Sequence, residues 1–354
     1  MKRTTLLNVA AALAVAAAPA AAQVRLNGAG ATFPNIIYQG WMLTYNQLHS
    51  NVQLNYQSIG SGGGIRQFSD KTVDFGGSDA PMSDSAIAAI QGNVLHIPTV
   101  LGAVVVTYNL PGITQQLKFT PSVIADIYLG KLTKWSDPRI AAANAGVALP
   151  NDDILVVHRS DGSGTTYIFT DYLSKVSPDW KDKVGKGTSV NWPVGLGGKG
   201  NEGVSATVGQ TPGAIGYVEL AYANANKLAY GQLQNAAGKF INPTLEATTA
   251  ALAGAMKDMG PNTDFRVSIT NSPGAEAYPI ASMTYLLLRK TYTDDPAKIE
   301  ALVKYVWWAE TDGQAKAEPL GYAPLPTALR PWIAARLASI TANGRKVWTA
   351  TAAR

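Results

Sequence analysis

The run VLGAVVVTY at residues 100–108 decides the fold class. It is rich in β-branched valine, carries no charge and does not alternate between polar and apolar residues. Such a run is a strand covered on both faces, the habit of α/β proteins rather than of a half-wet sheet. Working outward, Asn51–Tyr56 and Val73–Gly76 before it read as strands. So do Ile154–His158, Ala214–Val218 and Met283–Leu288 after it. Helical patterns fall at Asn35–Leu48, Gly64–Phe68, Ser122–Tyr128, Ala297–Trp308 and Trp332–Ile340. Strands alternating with helices give an α/β architecture. The Gly-, Asn- and Ala-rich stretches at 141–147 and 234–239 read as surface turns.

The N-terminus has a separate logic. Lys2 and Arg3 precede an apolar run, Leu6 to Ala18, and small residues follow to Ala22. That order is a secretory signal peptide over residues 1–22, with Ala20-Ala21-Ala22 as the cleavage signal and Gln23 as the first mature residue. The apolar run is short for a membrane span. The rest of the chain is about twice the usual domain length, so two domains are expected, each able to bury its own core. Removing Lys2 and Arg3 lowers the formal charge from +5 to +3. No dense basic run remains, which argues against a nucleic-acid partner. There are no cysteines, hence no disulfide, no thiolate metal site and no lipid-anchored cysteine. His49, His96 and His158 are scattered, without metal-ligand spacing.

Three segments share one chemical design. Gly28-Ala29-Gly30-Ala31-Thr32-Phe33-Pro34 precedes the first helical stretch. Ser58-Ile59-Gly60-Ser61-Gly62-Gly63-Gly64 lies between a strand and a short helix. Arg159-Ser160-Asp161-Gly162-Ser163-Gly164-Thr165-Thr166 precedes a helical stretch to Leu173. A helix start offers unpaired N–H groups and the positive end of a dipole; glycine allows close approach, and Ser or Thr adds a hydroxyl. Each is therefore a candidate anion site, although Ser and Thr also cap helices that bind nothing. Arg159 adds a planar fork suited to a tetrahedral oxyanion, with Asp161 as the residue that could hold it in place. Phosphate-enzyme signatures fail. Gly197-Gly198-Lys199-Gly200 lacks the hydroxyl residue of a P-loop, and Gly76-Gly77-Ser78-Asp79-Ala80 lacks the second glycine of a nucleophile elbow.

GAGATFP at 28–34, IGSGGG at 59–64, DFGGSDAP at 74–81 and RSDGSGTT at 159–166 closely resemble the phosphate-binding subunits of bacterial phosphate-specific ABC transporters. DIYLGKLTKWSDP at 126–138, WPVGLGGKGNEGV at 192–204 and PGAIGYVELAYA at 212–223 are similar too. The resemblance runs from about Leu26 to about Tyr322. It implies a two-domain periplasmic binding protein fold, type II-like, with two lobes joined by crossover strands and the ligand in the cleft. Residues 23–105 and 280–354 would form lobe I and residues 106–279 lobe II, with crossings near Val104–Tyr108 and Tyr278–Ser282. It implies phosphate contacts from Thr32 and the Phe33 backbone N–H, Ser61, Asp79, Arg159, Ser163, Gly164 and Thr165. It implies a monomer, free in the periplasm, with no cofactor or metal and no enzymatic activity. Its partners would be inorganic phosphate and the membrane-embedded permease subunits. One departure stands out: Gly62 occupies a position where the family often has a second serine.

Asp79 joins the two lines of reasoning. A carboxylate repels an anion unless the anion can donate a proton, and phosphate near neutral pH keeps at least one. Sulfate has none, so the same carboxylate that accepts from phosphate rejects sulfate. Two alternatives share these residues: a receptor for another protonated oxyanion such as arsenate, and a phosphate-ester hydrolase, for which no nucleophile–base pair is evident.

Overall fold

The computed structural model describes residues 23–349; the expected signal peptide, residues 1–22, lies outside the described residues. One mixed sheet runs through the molecule. Its strands are β1 (Val24–Gly30), β2 (Val52–Ser58), β3 (Phe75–Ser78), β4 (Leu95–Tyr108), β5 (Leu155–Arg159), β6 (Leu196–Gly198), β7 (Ala214–Glu219), β8 (Ala229–Tyr230) and β9 (Ala281–Leu288). They lie in the order β2-β1-β3-β9-β4-β7-β5-β6, with β8 also on β4.

The valine run is the shared member, and all of β4 is buried. Its first part, Leu95–Ala103, pairs antiparallel with β9, and its second, Val104–Tyr108, pairs antiparallel with β7. Beyond β9 the strands β3, β1 and β2 are mutually parallel, as are β7, β5 and β6 on the other side. Two parallel α/β halves therefore hang on one strand, a two-lobe arrangement. β4 starts earlier than its valine run because Pro98 is accommodated by a bulge: the register shifts between Thr284 and Tyr285, which pair with Val100 and Pro98. A strand proline belongs at such an irregularity, where no ladder N–H is required.

The helices that matter for the site are α1 (Asn35–Leu48), α2 (Ser61–Ser69), α3 (Gly164–Val176), α4 (Gly200–Gln210) and α5 (Pro296–Glu310). α1 buries Ile37, Tyr38, Trp41, Met42 and Tyr45, the spacing of one apolar helix stripe. The Trp41 indole donates to Gly313 O at 2.6 Å, tying the N-terminal region to the chain that follows α5. The expected helix at Gly64–Phe68 begins three residues earlier, inside the glycine cluster itself. Gly60 makes the entry turn at φ +87°, and a Cβ on Gly64 would lie 2.5 Å from Gly30 Cα. Glycine is needed there because α2 rests directly on the β1 backbone.

The stretches expected as surface turns are anchored from within. Asn144 and Asn235 are buried. Asn144 accepts from Lys118 N (2.8 Å) and donates to Lys118 O (2.9 Å), and Asn235 donates to Ala275 O and Ala277 O. A side-chain amide has the donor and acceptor of a peptide group, so it can complete a loop backbone that would otherwise be buried unpaired.

Candidate functional site

The elements converge because helices start where strands end. β1 runs out into Thr32 and Phe33 before α1. β2 leads through Gly60 into Ser61, β5 ends at Arg159 before α3, and β6 ends just before α4. The first turns of four helices thus face the junction of the two parallel half-sheets, where ligands sit in open α/β sheets.

Thr32, Phe33, Ser61, Asp79, Arg159, Ser163, Gly164 and Thr165 are all buried, and the fold brings them together across the two halves. Ser61 Oγ accepts from Asp79 N at 3.1 Å and lies 3.4 Å from Asp79 Oδ2. A Cβ on Gly164 would collide with both Asp79 Oδ2 and Ser61 Oγ, so only glycine lets α3 come this close. Gly62 N donates to Gly162 O at 2.8 Å, and Gly62 and Gly162 meet nearly backbone to backbone. A Cβ on Gly62 would come within 3.1 Å of Gly162 Cα, so a side chain at this position would press on Gly162. Ser163 caps α3 by accepting from Thr166 N at 2.9 Å, which leaves its O–H free to donate elsewhere.

Arg159 is held as the sequence anticipated. Its Nε donates to Asp161 Oδ1 at 2.8 Å and one Nη to Asp161 Oδ2 at 2.5 Å, a fork-on-carboxylate pair. The other Nη lies 3.3 Å from Thr165 Oγ1. Asp161 also accepts from Gly200 N at 2.9 Å. Burial works against an ionised Asp161, but the Arg159 guanidinium outweighs it and holds the carboxyl below the usual range. Arg159 is therefore oriented and largely neutralised, with its remaining N–H groups available.

Asp79 is the opposite case. It is almost fully buried, and burial pushes its carboxyl up to about 7; hydrogen bonds from Thr284 and Ser61 and the charge of Arg159 pull the other way without cancelling this. Thr284 Oγ1 donates to Asp79 Oδ1 at 2.8 Å, fixing the carboxyl plane. A polar cleft of about 190 Å³ opens onto Asp79 between Tyr167, Ser282 and Tyr285, with Lys186 and Arg266 in its walls.

Sequence reasoning did not single out three contributors. Thr284 stands inside the apolar strand β9, and one hydroxyl in a buried run was the available signal. Asn201, in the first turn of α4, donates through its amide to Thr32 Oγ1 (2.7 Å) and Thr165 Oγ1 (3.2 Å), clamping the two halves. Its carbonyl accepts from Glu219 N at 3.0 Å. Glu219 closes β7 opposite Val104, where β4 changes partners. It is fully buried; Oε2 accepts from Ala221 N at 2.8 Å, and Oε1 has no partner among the described residues. Burial raises this carboxyl well above its ordinary range, and the nearby charge of Asp79 adds to the effect.

Known proteins resemble this chain along most of its length. A model of the PBP superfamily domain matches residues 15–310. The phosphate-binding protein PstS of Xylella fastidiosa is 47% identical over 317 residues, covering 89% of this chain and 85% of that protein. The chain belongs to the PstS family of phosphate-binding proteins. The PstS of Methanocaldococcus jannaschii is 42% identical over 319 residues, covering 84% of this chain and 81% of that protein. Among solved structures, a phosphate-binding protein from Stenotrophomonas maltophilia superposes with a TM-score of 0.67 at 17% identity, over 88% of this chain and 93% of that one. At that identity the match speaks for the two-lobe fold alone.

Proposed function

We propose that this PstS-family chain is a receptor that binds inorganic phosphate in the periplasm and delivers it to an ABC-type permease. The observation that carries the specificity is Asp79: a buried carboxyl, oriented by Thr284 and facing donors from the other half of the molecule. Thr32, the Phe33 backbone, Ser61, Arg159, Ser163, Gly164 and Thr165 supply donors, and Asp79 accepts the proton that phosphate retains. Residues 23–105 with 280–354 make up one lobe, of which 350–354 lie outside the described residues, and residues 106–279 the other, a division supported by the partner change within β4 at Ala103–Val104. Secretion rests on the basic–apolar–small order of residues 1–22. Among the described residues no helix is long and apolar enough to cross a membrane.

The site binds and does not turn over its ligand. Its serines and threonines sit beside carboxyls and amides rather than beside an imidazole that would accept their proton. Calorimetry on mature protein stripped of phosphate is expected to give one site for phosphate and far weaker binding of sulfate. A phosphomonoester assay on the same sample is expected to show no release. Equal affinity for the two oxyanions, or turnover that tracks the protein, refutes this reading.

A further inference from the structure

Three elements of the site run on to a second place. α2 starts at Ser61 in the cleft and ends at Ser69. β3 ends beside Asp79 and begins after Asp74. β9 carries Thr284 and ends before Arg289. Five residues of strand place Arg289 roughly 17 Å from Thr284. There, at the far end of all three, two cavities meet. The larger, about 610 Å³, lies between Lys71, Asp74, Gln91, Lys290 and Asp294; the smaller, about 280 Å³, shares Lys71, Gln91, Asn93 and Arg289 with it.

Arg289 has the features of an anchor. It is 8% exposed and sits on the rings of Phe68 and Tyr292, at 4.6 and 5.6 Å from their centroids. Its acceptors among the described residues are main-chain carbonyls: Phe68 O at 2.6 Å, Val73 O at 3.2 Å and Asp74 O at 3.5 Å. A buried guanidinium without a carboxylate is unusual, because burying an uncompensated charge is costly. Lys71 and Lys290 form no ion pair among the described residues, while Lys298 pairs with Asp74 (2.5 Å) and lies 4.0 Å from Asp294. The cavity walls carry Lys71, Arg289 and Lys290 against Asp74 and Asp294, and Lys298, paired to Asp74 from behind the wall, raises the local surplus from one positive charge to two. The carbonyl end of α2 offsets about half a charge of this.

Lys71 (φ 60°) and Gln91 (φ 55°) line both cavities. Each is left-handed because it follows the C-terminal end of a helix, Ser61–Ser69 and Asp84–Ala89 respectively.

We propose that these cavities form a second ligand site, separate from the phosphate cleft, for an organic phosphate monoester. Its head group carries between one and two negative charges near neutral pH, matching the surplus. Arg289 and the two free lysines hold the head group. The larger cavity falls in the small-molecule range and has room for an organic body against Tyr292 and Thr291.

The test uses full-length mature protein saturated with inorganic phosphate, so that the cleft is filled. Glycerol 3-phosphate and AMP are titrated in separately and followed by NMR and calorimetry, with glycerol and adenosine as uncharged controls. At least one ester is expected to bind saturably and the controls not at all. The double variant Lys71→Gln/Lys290→Gln is expected to weaken ester binding at least about tenfold, the loss of two charge-assisted contacts, with phosphate affinity of the cleft unchanged. The proposal is overturned if neither ester binds saturably, or if the double variant binds the ester as the parent does.

Discussion

The height of the Asp79 pKa makes oxyanion selectivity a function of pH. Burial puts that carboxyl at about 7 against an ordinary 3.8. Below about pH 7 the group is a neutral acid that can donate to any oxyanion, sulfate included. Above it, the ionised carboxylate repels sulfate but still accepts the proton of phosphate. Sulfate binding to the protonated form alone then loses about tenfold per pH unit above 7, whereas phosphate holds its affinity. Two units above the midpoint, the phosphate-to-sulfate ratio stands roughly a hundredfold above its acid plateau, a difference of about 2.7 kcal/mol. Asp79→Asn keeps the size and the acceptor for Thr284 but removes the titration. Its ratio is expected to be lower at alkaline pH and nearly flat, apart from phosphate's own protonation, which both proteins share. The measurement is calorimetric titration of phosphate and sulfate into both proteins across pH at constant ionic strength, since screening affects both anions. A parent ratio that does not rise through neutrality, or a variant that tracks the parent, refutes Asp79 as the proton sensor.

Other perturbations separate the remaining roles. Arg159→Ala is expected to weaken phosphate binding by roughly 2–5 kcal/mol, because it removes the fork and leaves the half-buried Asp161 without its partner; Lys is expected to restore only part, lacking the bidentate geometry, and an unchanged affinity places Arg159 outside the site. Glu219→Gln removes a buried carboxyl whose folded pKa is raised by burial. The native state holds that proton to higher pH than the unfolded chain, so this group's contribution falls as pH rises above the usual glutamate range. The Gln variant is expected to gain on the parent in thermal unfolding as pH increases, and a pH-independent gap contradicts a protonated Glu219.

What could be read from the sequence depended on whether a local pattern had a local cause. The valine run, the helix starts and the Arg159–Asp161 pair are local: neighbours in the chain make the structure. The start of α2 was misplaced because glycines usually break helices, and the reason they do not here is the β1 backbone lying under Gly64, contributed by a different segment. Asn144 and Asn235 read as turn residues because their partners are elsewhere in the chain. Thr284, Asn201 and Glu219 belong to the same class. Thr284 and Asn201 are polar residues whose side-chain partners, Asp79 and Thr32, come from distant segments, and Glu219 is buried because distant β4 covers the end of its strand.

The electrostatics explain why the signature of the cleft is glycine and serine rather than lysine. Arg159 is nearly neutralised by Asp161, and Asp79 is neutral or negative, so the side chains offer an anion little net positive charge. The charge of the ligand must then be met by directed N–H and O–H groups at helix starts, each a partial charge that costs no counter-ion. Those groups count only if the backbone comes within hydrogen-bond reach, which a Cβ on Gly164 would prevent. The cavities around Arg289 follow the other design, with whole cations and little backbone. A site built on dipoles discriminates by geometry and by the ligand's proton, whereas one built on lysines responds mainly to charge and weakens with salt. The two sites should therefore differ in salt dependence: phosphate affinity in the cleft should change little between low and moderate ionic strength, while ester binding at Arg289 should fall.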